Sequence, residues 1–124
     1  MRQKFVIIDY TKEMVVLVFI ADSKSEEVVA IGQYIKYDDK NIASVAFAVK
    51  DNYQDMGIGT ILVSYITLLA KNEGLQGFTA DVLGENAPML HIFEKLMKKM
   101  DYDLKKKINY GEYQIEIKFT GSDG

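Results

Sequence analysis

The segment Val45–Thr60, VAFAVKDNYQDMGIGT, decides how this chain of 124 residues is interpreted. It passes from an apolar run typical of a buried strand into a polar turn, and then into an amphipathic helix. Gly57 and Gly59 stand where that helix begins. A helix start leaves about four N–H groups unpartnered and carries about half a positive charge, so it favours an anion. Glycine lets a diphosphate approach the backbone closely, because no Cβ intervenes.

Two other phosphate-binding loops fit this segment less well. A P-loop requires a lysine directly after its last glycine, and no lysine follows Gly59. The dinucleotide fingerprint follows the first strand of a parallel unit, whereas this turn follows three strands predicted to be joined by hairpins. The remaining alternative is a glycine-containing turn that only begins a helix.

The composition excludes several classes of function. The chain has no cysteine and one histidine, which excludes disulfides, thiolate zinc sites, a cysteine nucleophile and a histidine metal cluster. Its net charge of −3 argues against nucleic-acid binding. The apolar runs are too short to cross a bilayer, and the N-terminus lacks the layout of a signal peptide. We therefore expect a cytoplasmic protein without a metal, a nucleic-acid partner or a membrane partner.

Periodicity predicts an α+β fold in the order β-β-β-α-β-α-β-β. The predicted strands are Met14–Ala21, Val28–Tyr37, Ile42–Val49, Phe78–Leu83, Tyr102–Asn109 and Glu112–Phe119. One helix begins at the two glycines, and its apolar stripe is Ile58, Ile61, Leu62, Ile66 and Leu69. Residues 85–88 open a second helix, with Pro88 in its first turn, where a missing N–H costs nothing. Hairpins together with one strand–helix–strand crossover give a mixed sheet flanked by helices. We expect residues 1–124 to form one domain.

The sequence resembles the GNAT superfamily of N-acetyltransferases. The family signature, Gln/Arg-x-x-Gly-x-Gly/Ala, stands here as Gln54-Asp55-Met56-Gly57-Ile58-Gly59. Leu83–Leu90 resembles the family's second site. Ile8–Met14 resembles a stretch of bacterial protein lysine acetyltransferases whose GNAT domain is joined to an acyl-CoA-synthetase-like (NDP-forming) region. The resemblance covers roughly residues 5 to 119 and implies acetyl transfer from acetyl-CoA to an amine, above all a protein lysine.

The resemblance also implies which residues bind acetyl-CoA. Backbone groups of residues 47–49 would hold the pantetheine arm where two strands part, and main-chain N–H groups of residues 55–60 would hold the diphosphate. Asn86 would touch the arm near the thiol. The full implied set is Phe47, Ala48, Val49, Gln54, Asp55, Met56, Gly57, Ile58, Gly59, Thr60, Asn86 and Phe93.

Two positions depart from the family's pattern. Ser44 stands where the bacterial subgroup often has a glutamate general base, and Phe93 where many members have a tyrosine that protonates the leaving thiolate. Acyl transfer needs a neutral amine, and at pH 7 roughly one lysine in 2,500 is neutral, a penalty of about 4.6 kcal/mol. Asp81 and Glu85 are the candidate bases, and Ser44 could hold a water that serves instead. A strand N–H near Phe47–Val49 would stabilise the oxyanion.

Other conspicuous residues have structural interpretations beside functional ones. His91, the only histidine, is expected to be exposed or to cap a helix. Lys105–Lys107 would either attract the 3′-phosphate of the cofactor or protect the edge of a sheet.

Three functions remain open from the sequence. They are an acetyltransferase for protein lysines, an acetyltransferase for small amines, and a non-catalytic acyl-CoA-binding regulatory module. Ser44 and Phe93 suggest the third, because neither supplies the acid or base that the family uses.

The N-terminal region predicts an incomplete sheet edge. The family's fold starts with a strand and two helices, whereas residues 1–13 match only the end of the second helix and its connection. We therefore expect the first strand and first helices to be lacking, and Met14–Ala21 to form an uncovered apolar edge. The chain would then self-associate, as a dimer or larger, through Val15, Leu17 and Phe19, or form part of a larger protein, and its transfer activity would be weak.

Overall fold

The computed structural model describes residues 2–22, 24–54, 57–83 and 86–119, which form a seven-stranded sheet with two helices. The strands are β1 (Arg2–Asp9), β2 (Glu13–Ala21), β3 (Glu26–Lys36), β4 (Ile42–Val49), β5 (Gly77–Leu83), β6 (Asp103–Asn109) and β7 (Glu112–Lys118). The helices are α1 (Ile58–Asn72) and α2 (Ala87–Met100), with a 3₁₀ turn at Asp51–Tyr53.

The strands lie in the order β1-β2-β3-β4-β5-β7-β6. Strands β4 and β5 are parallel, and every other neighbouring pair is antiparallel. The predicted α+β fold with a mixed sheet is confirmed.

Both helices pack on the same face of the sheet. The alternation in β2 shows why: Met14, Val16 and Val18 are buried beneath the helices, while the residues between them point the other way. Gly32 of β3 lets α1 approach, since a Cβ there would lie 3.0 Å from Leu62 Cδ1.

The N-terminal residues form a strand, so the prediction of a missing first strand is wrong. Phe5 of β1 pairs in register with Val18 of β2, and its ring lies 5.5 Å from the ring of Tyr65 in α1. The apolar run of residues 5–8 suits a strand. The unpaired N–H and C=O groups along β2 provide the template for it. The edge predicted to be open at Met14–Ala21 is therefore covered.

The second face of the sheet carries no helix in the described part of the chain. Val15, Leu17 and Phe19 lie half-buried on this open face, beside Ile31 and Ile35, which are 39% and 47% exposed. The predicted self-association thus loses its original basis, an open strand edge. It stays a prediction, and the side chains it names belong to an exposed apolar face.

A glycine at the start of β5 allows β7 to approach closely. Gly77 pairs with Ile42 of β4 and Lys118 of β7, and a Cβ at this position would lie 2.0 Å from the backbone oxygen of Ile117. No side-chain rearrangement can relieve this contact, because the obstacle is backbone.

We predict that Gly77→Ala lowers the free energy of unfolding by about 1–3 kcal/mol, the range for an overpacked interior. Urea denaturation would measure the change. Gln76→Ala, one residue earlier and exposed, is the matched control and should change stability by less than about 0.5 kcal/mol. A Gly77→Ala protein as stable as the control would show that β5 and β7 are not so closely apposed.

Candidate functional site

The parallel strands β4 and β5 pair over only part of their length. Their ladder runs from Ile42 and Gly77 to Val45 and Ala80. Beyond that point β4 continues beside β3, and β5 continues beside β7. Within the described residues the sheet therefore has a gap between residues 46–49 on one side and 81–83 on the other, and the family resemblance implies that the strands part at residues 47–49.

The hydrogen bonds flanking β4 show which backbone groups face this gap. Lys50 N–H donates to Val29 O at 2.8 Å, and Tyr37 N–H donates to Ile42 O at 3.1 Å, so even-numbered residues of this segment face β3. Because backbone polar groups alternate sides along a strand, those of Phe47 and Val49 point into the gap. The backbone of Ala48, predicted to contribute as well, is turned toward β3.

Gln54 fixes the turn that follows β4. Its Nε2 atom donates to Val49 O and to Asp51 Oδ1, both at 3.3 Å, while its N–H donates to Asp51 O. The C=O of Val49 is thereby satisfied, and the turn is held against the end of the strand.

Helix α1 begins with its N–H groups uncapped by any described side chain. Gly57 occupies the N-cap position with φ of 80°, a conformation that glycine adopts without strain. The first helical bond runs from Ile61 N–H to Gly57 O. The N–H groups of Ile58, Gly59 and Thr60 therefore have no partner within the helix, and the first turn contains no acidic residue. Asp55 and Met56, predicted to share this role, lie outside the described residues.

A cleft of about 450 Å³ joins the gap to the start of α1. Its lining includes these predicted residues: Phe47, Ala48, Val49, Gln54, Gly57, Gly59, Thr60 and Asn86. Gly59 lines the cleft where α1 approaches α2, since a Cβ there would lie 3.0 Å from Ile92 Cδ1.

Sequence reasoning missed three further lining residues, Pro88, Met89 and Ile92. They occupy the first two turns of α2, on the side facing α1. Steps of three residues from Asn86 would have identified Met89 and then Ile92, whereas Pro88, two positions from Asn86, has no such signal.

Two predicted residues lie beneath the cleft. The side chain of Ile58 is buried in the core, so only its backbone can face a ligand. Phe93 is fully buried, with its ring 5.5 Å from that of Phe47 and 6.2 Å from that of Phe78. Phe93 therefore shapes the cleft through Phe47 and does not line it, because its position in α2 points toward the sheet.

A second cleft, of about 750 Å³, lies on the open face and contains two of the predicted catalytic residues. Ser44 and Asp81 both line it and are exposed. Thr79, the register partner of Ser44, lies 3.2 Å from the Tyr37 hydroxyl through its Oγ1 atom. Asp81 follows the last β4–β5 pair directly and so stands at the edge of the gap. Glu85, the third candidate, lies outside the described residues.

The lysine triplet also lines this second cleft, away from the start of α1. That position does not support an interaction of Lys105–Lys107 with a cofactor phosphate, whereas edge protection agrees with β6 being an edge strand. Lys106 bonds to Glu94 of α2 at 2.6 Å, and this hydrogen bond raises the pKa of Lys106.

His91 is exposed, as expected for a residue without a buried role. Its Nδ1 atom lies 3.9 Å from Glu94 Oε1, and its side chain is 82% exposed.

Asn86 caps helix α2 where that helix borders the cleft. Its Oδ1 atom accepts from Met89 N–H at 3.4 Å, and Pro88 occupies the first turn. The predicted start of this helix is confirmed.

We predict that Asn86→Ala destabilises the protein by about 0.5–1 kcal/mol, the lower part of the range for loss of an N-cap. Asn86→Asp keeps an oxygen acceptor and should be close to the wild type. Urea denaturation of the three proteins would test this, and equal stability of the Ala and Asp variants would contradict the capping role.

None of the helices in the described residues is long and apolar enough to span a membrane.

The model of the Acetyltransferase (GNAT) family matches residues 3–97. The chain is 42% identical to Acetyltransferase Pat of Mycolicibacterium smegmatis over 55 residues. This stretch covers 44% of this chain and 16% of that protein.

Solved structures share the fold. The cAMP-binding acyltransferase from Mycobacterium smegmatis is 26% identical with a TM-score of 0.72, over 93% of this chain and 34% of that one. The GNAT domain of S. lividans PAT, at 24% identity and a TM-score of 0.70, matches over 90% of this chain and 63% of that one. The chain thus spans about a third of the first of these structures. The family match, together with the gap in the sheet and the glycine turn, shows that the chain belongs to the GNAT family of acetyltransferases.

Proposed function

We propose that this chain is a single acetyl-CoA-binding domain that transfers the acetyl group to an amine, with a protein lysine as the acceptor. The observation that carries this proposal is the gap between β4 and β5, which leads directly to the uncapped start of α1. Backbone groups at the gap suit an extended amide-containing chain, and the helix start suits an anion.

The described residues support one orientation of acetyl-CoA, with its diphosphate at the start of α1 and its thiol end near Asn86. The N–H groups of Ile58, Gly59 and Thr60 would hold the diphosphate, together with residues 55 and 56. The N–H and C=O of Phe47 and the N–H of Val49 would pair with the pantetheine amides, as a further strand does, because the C=O of Val49 already accepts from Gln54. Asn86, at the N-terminus of α2, would contact the pantetheine arm near its thiol end.

Acetyl-CoA supplies the activated acyl thioester, and the chain supplies position and proton handling. Phe47 N–H faces the gap and would donate to the acyl oxygen, where negative charge develops. The acceptor amine would enter from the open-face cleft, where Asp81 can take its proton directly or through a water held by Ser44. Phe93, being apolar and buried, has no proton to give to the leaving thiolate.

A non-catalytic acyl-CoA-binding module is the second candidate. Ser44 and Phe93 favour it, because both replace groups that act on protons in related enzymes. A small amine as acceptor is the third possibility. Release of CoA distinguishes the candidates: a module releases none, and a lysine enzyme prefers a protein over a free amine.

Self-association stays part of the proposal. The apolar side chains named for it, Val15, Leu17 and Phe19, lie on the open face, where a second copy or the rest of a larger protein would cover them. Exposed apolar surface of this kind commonly marks an interaction site.

We predict that the protein releases CoA from acetyl-CoA when offered lysine-containing proteins and not when acceptors are omitted. Binding at 100 times the Kd should also stabilise the fold by roughly 2.7 kcal/mol, measured as a thermal shift. Gly57→Asp should abolish both effects, because its carboxylate would stand beside the diphosphate.

The matched control is Gly57→Asn, which has the same shape and tolerates the positive φ about as well as aspartate, but carries no charge. It should retain more affinity than Gly57→Asp. If both variants lose acetyl-CoA affinity equally, the loss is due to the shape of the side chain and not to its charge. Wild-type affinity in Gly57→Asp would mean that the phosphates bind elsewhere.

We predict that Ser44→Glu raises kcat, since a carboxylate at the open-face cleft would accept the amine proton. Ser44→Gln is the matched control and should give no increase. Asp81→Asn should lower kcat, with acetyl-CoA affinity intact in all three variants. A pH–rate profile of Ser44→Glu would show the ionisation of the added carboxylate. Equal rates for the Ser44→Glu and Ser44→Gln variants would exclude this position as the site of a base.

A further inference from the structure

The open-face cleft carries a charge pattern that the transfer reaction does not explain. Across the sheet, Asp81 of β5 pairs with Gln114 of β7, which pairs with Lys107 of β6. A carboxylate at the gap and an ammonium group thus share one row, with a neutral side chain between them. Because neighbouring strands lie about 4.8 Å apart, their backbones are about 10 Å apart.

No ion pair joins Asp81 and Lys107 within the described residues, although their side chains lie on the same face. Lys105 lies on the same face, two residues before Lys107, and its register partner is Glu116. Among the described residues, neither Lys105 nor Lys107 forms an ion pair, whereas Lys106 is paired with Glu94.

Edge protection accounts for lysines on β6 but not for their alignment with Asp81. A lysine discourages strand pairing wherever it stands along an edge. Here Lys105 and Lys107 line the same cleft as Ser44 and Asp81. An extended acceptor segment that enters the gap from the open face and crosses β7 would lie beside them.

We propose that this cleft selects acceptor lysines that have acidic neighbours in their sequence, an inference that rests on the proposed transfer function. The target lysine would enter the gap beside Asp81, and an acidic side chain of the same segment would reach Lys107 and Lys105. An extended peptide advances about 3.3 Å per residue and its side chains alternate, so the acidic residue stands two or four positions from the target.

Two peptides test this directly. One has a central lysine with glutamate two and four positions away on both sides, and the other has glutamine at those four positions. Fluorescence anisotropy, with CoA present, measures binding without requiring turnover. The wild type should bind the glutamate peptide about two- to fivefold tighter at low salt, the range expected for exposed ion pairs.

The double variant Lys105→Gln, Lys107→Gln should lose this preference. Lys95→Gln is the matched control, because Lys95 is an exposed lysine on α2 and does not line the cleft. In acetyl-transfer assays the double variant should raise KM for the glutamate peptide by the same factor and leave kcat unchanged.

Equal affinity of the wild type for both peptides would overturn the inference, as would a preference that survives in the double variant. A preference that is lost only in the double variant supports it. Absence of transfer to any peptide, with the binding preference intact, would refute the proposed function while leaving the anion-binding role of Lys105 and Lys107 supported.

Discussion

The parting of β4 and β5 after Val45 and Ala80 is the constraint on which the site depends. Backbone N–H and C=O groups need hydrogen-bond partners, and a gap in a sheet leaves some of them without a neighbouring strand. Gln54 satisfies the carbonyl of Val49, while Phe47 keeps its backbone groups directed into the gap. The gap cannot simply close, because β3 and β7 hold the two strands from their outer sides.

The chemistry that this arrangement favours is carried mainly by backbone. The start of α1 offers N–H groups, and glycine at positions 57 and 59 leaves space for a ligand to reach them. Side chains contribute less, since Ser44 and Asp81 are exposed on the open face. In the proposed transfer, such a site would position its substrates mainly through backbone groups and would leave proton transfer to an exposed side chain.

Each face of the sheet carries one of the two clefts that meet at the gap. Helices α1 and α2 pack on one face and form the cleft that suits acetyl-CoA, with Phe93 supporting Phe47 from below. The other face carries the cleft with Asp81 and the lysines of β6. A strand presents alternate residues to opposite faces, so the same two strands serve both clefts. The gap between the strands is where acyl donor and amine would meet.

The sequence by itself determined the local elements and the glycine turn. Strand β4 has the predicted bounds, α1 follows Gly57, and Asn86 with Pro88 opens α2, because periodicity, glycine and capping are local signals. Only the tertiary structure decided the secondary structure of the N-terminus, where the apolar run at residues 5–8 forms a strand because it pairs with β2. It also decided that Phe93 is core and that Lys105–Lys107 lie away from the start of α1. These outcomes depend on strand order and on which face each residue takes. Long-range pairing sets both, and no local pattern records them.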